Sequence, residues 1–293
     1  MEYFDFLIIG GGAAGLSAAL SAAAKPGHRV LLVEGEPQLG GILNQCLHQG
    51  FGEGLTGPAY AQRLIDRVER SSVCVRTGTF ALRVGPDQTA LLSSREGLRR
   101  VGFHRCILAA GCRERTIASL SIAGSRPAGI FTAGTAQKLM NIGHYDVGNT
   151  IVILGSGDVG QIIARQLTLA GKRVVAVIEQ KPRLGGLPRN RRECLEVFQI
   201  PVILQATVDE ILGEGRVRGV MVRDLPTGRR WELACDTLLT ALGLIPDRAL
   251  CQPLVGDGSL PSWLRLCGNC DYVHDMVDSV IKEAASLGAA WGE

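Results

Sequence analysis

The chain has 293 residues, enough for about two domains at roughly 150 residues each. Apolar residues make up 46% and charged residues 20%, which supplies a packed core and excludes wholesale disorder. Lys plus Arg number 31 against 28 Asp plus Glu, and a net charge of +3 argues against a dedicated nucleic-acid binder or a polybasic membrane-surface protein.

Residues 6–24 carry no charge, about the length of a membrane span. The run is broken by Gly10, Gly11, Gly12, Gly15, Ser17 and Ser21, is flanked by Asp5 and Lys25, and lacks the basic start of a secretory signal. It reads as a buried strand over 4–9, a glycine turn and an Ala-rich helix. The expectation is a soluble, cytoplasmic protein with no membrane span. Glycine is the compositional outlier at 38 residues, against a usual share of about 7%. No collagen period accompanies it, so these glycines mark tight turns and close backbone approach.

The organising feature is an internal repeat. LIIGGGAAGLSAAL near residue 7 matches IVILGSGDVGQIIARQL at 151, with the leading glycines Gly10 and Gly155 offset by 145 positions (155 − 10). The same offset carries Gly12 to Gly157, Gly15 to Gly160, Glu34 to Glu179, Pro37 to Pro182, Leu39 to Leu184, and Gly40-Gly41 to Gly185-Gly186. Each copy is a strand running into G-x-G-x-x-G, a helix, and a second strand ending in a carboxylate. The first glycine makes the turn, the second lets backbone approach a pyrophosphate, and the third lets helix pack on strand. The helix N-terminus offers free N–H groups to phosphate, and the carboxylate accepts ribose hydroxyls. Two register-matched copies make a far more specific signal than one glycine triplet.

Further along, residues 58–70 read as a helix and 73–84 as strands. CILAAG (106–111) and TLLTALG (237–243) read as short strands closing each copy. The Gly- and Pro-rich stretch 125–137 reads as the crossing into the second domain, 202–222 as a small antiparallel element, and 244–246 as the return linker. Residues 262–291 supply a final strand and an Ala-rich helix. The fold class is α/β, with two Rossmann-like domains in the stretches 1–117, 118–243 and 244–293; a family resemblance implies that these are FAD/NAD(P)-binding domains, with the NAD domain inserted in the FAD domain.

On these motifs, together with LGGILNQCLHQGFG, AAGCRERT, RPAGIFTAGTAQ and GNCDYVHDMVD, the sequence resembles the pyridine nucleotide–disulfide oxidoreductase flavoproteins, at the size of low-molecular-weight thioredoxin reductases. More narrowly it resembles FAD/NAD(P)-dependent oxidoreductases associated with glycerol-phosphate dehydrogenase systems. Flavin-bearing subunits of opine, sarcosine and proline dehydrogenases are looser relatives. The resemblance implies that Gly10, Gly12, Ala13, Ala14 and Gly15 wrap the FAD pyrophosphate, with Glu34 on the adenosine ribose. Gly41 and Ile42 would follow the cofactor toward the flavin, and Gly111 would close the site. Gly155, Gly157, Asp158 and Val159 would hold NAD, with Glu179 on its ribose. A carboxylate there repels a 2′-phosphate, so NAD(H) is favoured over NADP(H), with Lys181 and Arg183 close enough to moderate the preference. The family's C-terminal Gly-Asp reads Gly268-Asn269 here. A helix beginning near His274 would aim its N-terminus at the flavin, although His274 and Asp275 read equally well as ordinary first-turn residues. Arg113 and Arg115 fit either FAD phosphate or a partner, and the segment between Asp247 and Trp263 is short against the family pattern.

Nine cysteines, an odd number, do not make a disulfide scaffold in a chain this long. Cys74, Cys106 and Cys235 lie in apolar runs and read as buried thiols. The second domain holds only Cys194 and Cys235, so the C-x-x-C of thioredoxin reductases is absent, and no metal site is expected. Cys46 is the candidate reactive thiol, with His48 placed to lower its pKa; packing beside FAD is the simpler reading. Cys267 and Cys270 form a C-x-x-C around Gly268-Asn269, without the second pair that zinc requires. The expected function is that of an FAD-dependent NAD(P)H oxidoreductase transferring hydride between nicotinamide and flavin, with electrons passed to or from a partner dehydrogenase subunit; the expected partners are a nicotinamide nucleotide and either that subunit or a homo-oligomer. The alternatives are a non-catalytic FAD/ADP-binding subunit of a larger complex and a stand-alone NADH oxidase or peroxide reductase using Cys46.

Overall fold

The computed structural model describes residues 1–255 and 258–291. The chain forms two compact units, one from residues 1–113 and 245–293, the other from residues 114–244.

In the first unit the strand Glu2–Ile9 lies between Val30–Val33 and Gly97–Leu108, parallel to both, with Cys74–Arg76 parallel beyond Val30–Val33. Its buried positions include Leu7 and Ile8, both fully covered, as expected of a strand with helices and sheet on its two faces. The strand Gly97–Leu108 does double duty. Its first half pairs antiparallel with Thr89–Ser94, which continues to Phe80–Val84, and its second half pairs parallel with Leu264–Leu266. The helix Ala13–Ala23 is built of Ala, Gly, Leu and Ser, so its small side chains let another helix come close. That helix is Val277–Ala290, where a Cβ on Gly288 would meet the Ala18 carbonyl oxygen.

The second unit repeats the plan with a five-stranded parallel sheet. Its order is Ile130–Thr132, Thr237–Thr240, Thr150–Leu154, Arg173–Glu179, Val202–Leu204. A second, four-stranded sheet is added from Ala123–Gly124, Ala206–Gly213, Val217–Asp224 and Arg230–Ala234. Each unit has two apolar clusters, one on either side of its main sheet.

Several expectations are corrected. The stretch 125–137 is no crossing: Ile130–Thr132 is an edge strand of the second unit, and Thr132 caps the helix Ala133–Asn141. A three-residue strand hidden among turn residues leaves no period to read. The chain instead changes unit at Arg113–Glu114 and at Leu244–Ile245. Residues 202–222 divide, with Val202–Leu204 joining the parallel sheet and only Ala206–Gly213 and Val217–Asp224 forming a hairpin. The last helix starts at Val277, three residues beyond His274, and Cys74, on an edge strand, is exposed. In the short segment 247–263, Gly256 and Asp257 lie outside the described residues. No helix among the described residues is long and apolar enough to cross a membrane.

The third fingerprint glycine carries the strand–helix contact in both units, since a Cβ on Gly15 would strike the Gly10 carbonyl oxygen and one on Gly160 the Gly155 carbonyl oxygen. Gly15→Ala forces the helix off the strand and is expected to destabilise the first unit by about 1–3 kcal/mol, measured as a lowered urea midpoint.

Candidate dinucleotide sites

In each unit the turn from strand to helix is fixed by the same hydrogen bonds, made by residues 145 positions apart (155 − 10). Gly10 N–H donates to the Val33 carbonyl at 2.8 Å, and Gly155 N–H donates to the Ile178 carbonyl at 2.8 Å. A further matching bond lies outside that register, its donors 132 positions apart (241 − 109): Ala109 N–H donates to the Ile9 carbonyl and Ala241 N–H to the Leu154 carbonyl, at 2.8 and 2.7 Å. The carboxylates complete the circuit. Glu34 accepts Gly11 N–H at 2.6 Å and Glu36 N–H at 2.8 Å; Glu179 accepts Ser156 N–H at 3.1 Å and Lys181 N–H at 2.9 Å. Both carboxylates are half-buried at the sheet's C-terminal edge, where open α/β sheets bind ligands.

The helix starts are open. Gly12 and Gly157 are the N-cap residues, and neither has a side chain to satisfy the first-turn N–H groups. A Cβ on Gly157 would meet nothing within 4 Å, and one on Gly12 would meet only the Gly41 Cα, at 4.0 Å. The empty space before uncapped N–H groups suits an anionic pyrophosphate. Ala13, Ala14 and Gly15 form the first turn of one helix, Asp158 and Val159 that of the other. The Asp158 carboxylate is occupied, accepting Leu187 N–H at 2.8 Å and Asn190 Nδ2 at 2.6 Å. Gly41 packs against Gly12, and Ile42 beside it is 63% exposed, a large apolar side chain with little protein to cover it. Gly111, with φ of 76°, leaves open space at its Cβ position.

Gly268 also belongs to this neighbourhood, since its Cβ would lie 2.8 Å from the Ala14 Cβ. Asn269 is turned inward: its Oδ1 accepts His274 N–H at 3.0 Å, and its Nδ2 faces Cys112 Sγ at 3.7 Å. Glu283 reaches back from the last helix. One oxygen accepts Gly268 N–H at 3.1 Å, and the other lies 2.7 Å from Nε2 of the buried His274 ring, without hydrogen-bond alignment. Arg113 and Arg115 are exposed.

The thiols are quiet. Burial pushes the Cys46 thiol up to about 11, and its Sγ donates to the Ile42 carbonyl at 3.3 Å. The expectation that His48 lowers this pKa is therefore corrected: desolvation, which disfavours the thiolate, is the cause that acts. Burial likewise raises Cys267 to about 12, while Cys270 is raised and donates to the Leu108 carbonyl at 2.8 Å. All nine cysteines are free, and the described residues hold no cluster of His, Cys, Asp and Glu suited to a metal ion.

Sequence reasoning missed three features. Pro37, Thr77, Gly78 and Thr79 line a cleft of about 530 Å³ beside the Glu34–Glu36 turn. Glu114 caps the helix Ala133–Asn141 by accepting Gly134 N–H at 2.8 Å and Thr135 N–H at 3.1 Å. Ser156 and Gln161 form a buried polar pair under the second fingerprint. The repeat itself held a signal for the pair, because the first unit has Gly11 and Leu16 at the matching positions.

Two glycine fingerprints, each closed by a carboxylate on its own parallel sheet, define a protein with two dinucleotide-type folds. The model of the pyridine nucleotide-disulphide oxidoreductase family matches residues 4–256, and the chain belongs to that family, whose members bind FAD and pyridine nucleotide. Hydrogen cyanide synthase subunit HcnB of Pseudomonas protegens is 30% identical, over 85% of this chain and 58% of that protein. The chain thus spans less than two thirds of that relative. Thioredoxin reductase of Mycolicibacterium smegmatis is 27% identical, over 98% of this chain and 92% of the relative. In fold, the crystal structure of T. acidophilum thioredoxin reductase matches with a TM-score of 0.80 at 21% identity, over 100% of this chain and 98% of that one.

A thiol held at about 11 is about one part in a thousand thiolate at pH 8. Alkylation by iodoacetamide at that pH, followed by peptide mapping, is expected to label exposed Cys74 well before Cys46.

Proposed function

We propose that the chain is an FAD-dependent NAD(P)H oxidoreductase, with FAD in the first unit and NAD(H) in the second. The observation that carries this reading is the duplicated circuit, in which one carboxylate and one uncapped helix start recur in both units. Gly10, Gly12, Ala13, Ala14 and Gly15 would bind the FAD pyrophosphate through backbone N–H groups, and Glu34 would take its ribose hydroxyls. Gly41, Ile42 and Gly111 would follow the cofactor, with Gly268 and Asn269 finishing the site. Both are engaged within the fold, Asn269 Oδ1 by His274 N–H and Gly268 N–H by Glu283. Gly155, Gly157, Asp158 and Val159 would hold the nicotinamide nucleotide, with Glu179 on its ribose. FAD, when bound, supplies the two-electron centre that exchanges a hydride with nicotinamide. The chain's own part is to bind and orient the two nucleotides, and that half-reaction requires no acid or base from the protein.

The other half-reaction is assigned outside the chain. Cys46, Cys267 and Cys270 are thiols at neutral pH, and the second unit has no C-x-x-C, so a dithiol relay is not supported. A partner dehydrogenase subunit is the proposed electron source or sink, of the kind associated with glycerol-phosphate dehydrogenases or with amine and amino-acid oxidation. The name of HcnB as a subunit supports an assembly of this kind.

Anaerobic NADH titration of the purified protein is expected to bleach the flavin stoichiometrically, with the same result for Cys46→Ser. Flavin that stays oxidised would favour the binding-subunit alternative. Loss of turnover confined to Cys46→Ser would favour the stand-alone oxidase or peroxide reductase.

A further inference from the structure

The two units hold the same turn by different means. In the first, the residue after the leading glycine is Gly11, whose carbonyl accepts Gly40 N–H at 2.8 Å, and position 16 is the fully buried Leu16. In the second, Ser156 and Gln161 take these places, both 0% exposed. Ser156 Oγ donates to Glu179 Oε2 at 2.6 Å and accepts Gly185 N–H at 2.9 Å. Gln161 Nε2 donates to the Ser156 and Gly185 carbonyls, each at 2.7 Å. Glu179 therefore receives three hydrogen bonds from the fold, where Glu34 receives two.

The Gln161 amide has one orientation, since turning it would set Oε1 against two carbonyl oxygens. That orientation leaves Oε1 buried and without a hydrogen-bond partner among the described residues. An orphaned buried acceptor is destabilising, because it gives up its bonds to water and gains none in return. Leucine fills the same place in the first unit without that cost, so packing alone does not call for glutamine.

The surroundings suggest what the pair does. Lys181 follows Glu179 by two positions, and Arg183 lines a cleft of about 340 Å³ beside the strand Val202–Leu204, in which Arg191 is paired with Glu196 at 2.8 Å. Cations so placed attract the 2′-phosphate that separates NADPH from NADH. A carboxylate excludes that phosphate only while it keeps its position. Glu179, if free to rotate, would leave the cations to prevail.

We propose that Ser156 and Gln161 determine coenzyme choice, by pinning Glu179 and the Gly185 turn so that the second site takes NADH in preference to NADPH. This rests on reading the second unit as the nicotinamide-nucleotide site. The test is calorimetric binding of NAD+ and NADP+ to the full-length flavoprotein, which involves no turnover. Wild type is compared with Ser156→Ala, which removes only the hydroxyl, with Ser156→Gly/Gln161→Leu, which installs the first unit's residues, and with Ser156→Thr, which keeps the hydroxyl.

The wild type is expected to prefer NAD+. Ser156→Ala and the double variant should cut that preference by about tenfold, chiefly through tighter NADP+ binding, while Ser156→Thr retains it and bound flavin is unchanged. An equal loss for both coenzymes would show a merely structural role and overturn the proposal, as would an unchanged ratio. Wild type that binds neither coenzyme, or prefers NADP+, would instead overturn the underlying reading of the site.

Discussion

A carboxylate bonded to the N–H of the residue after a leading glycine sets the geometry on which each unit depends. Glu34 and Glu179 stand at the ends of their second strands and hold the glycine turn from outside, at Gly11 and Ser156. The neighbouring strand end holds it from inside, through Gly10 to Val33 and Gly155 to Ile178. A charged acceptor makes such a bond worth about 1.5–3 kcal/mol, and an amide left unpaired there would cost a similar amount. With the turn fixed on both sides, the helix can leave the sheet in only one direction, and its first N–H groups stay unbonded. The unsatisfied helix start and the well-satisfied turn are two consequences of one constraint.

Much of this was legible in the residues because the constraint is local. Gly10 with Glu34, and Gly155 with Glu179, each lie within a single strand–helix–strand unit, and the repeat fixed their register twice over. The strand over 4–9, the Ala-rich helices, and the closing strands before Gly111 and Gly243 all followed from periodicity and turn residues. Elements held by distant partners were less legible. The strand Ile130–Thr132 exists because Thr237–Thr240 pairs with it and Glu114 caps the helix that follows, and nothing inside 125–137 announces either. The last helix begins at Val277 because Asn269 and Glu283 tie residues 268–274 into a turn of their own.

Side-chain electrostatics were the hardest to foresee. A histidine two positions from Cys46 suggests an activated thiol, yet burial sets the pKa, and burial is a property of the fold rather than of the neighbouring letter. Cys74 erred in the other direction: an apolar run looked like core, but its strand lies at the sheet edge. Substitutions inside the repeat were the more reliable guide. Where two copies keep Gly, Glu and Pro in register but exchange Leu16 for Gln161 and Gly11 for Ser156, the fold has shown that it can do without the polar side chains.

The same logic bears on where electrons go. A thiol relay needs a thiolate within reach of a resolving partner, and each requirement acts against burial. In this chain the two cysteines with intervening Gly268-Asn269 are 0% exposed, and one of them spends its proton on the Leu108 carbonyl. Those cysteines pack behind the turn that abuts Ala14, so their service to the site is steric. Converting them to a redox pair would mean exposing the core beneath the first fingerprint, which the nucleotide reading needs intact. With Cys267 and Cys270 sequestered, the proposal gives the chain the hydride exchange between two nucleotides and leaves the other half-reaction to a partner.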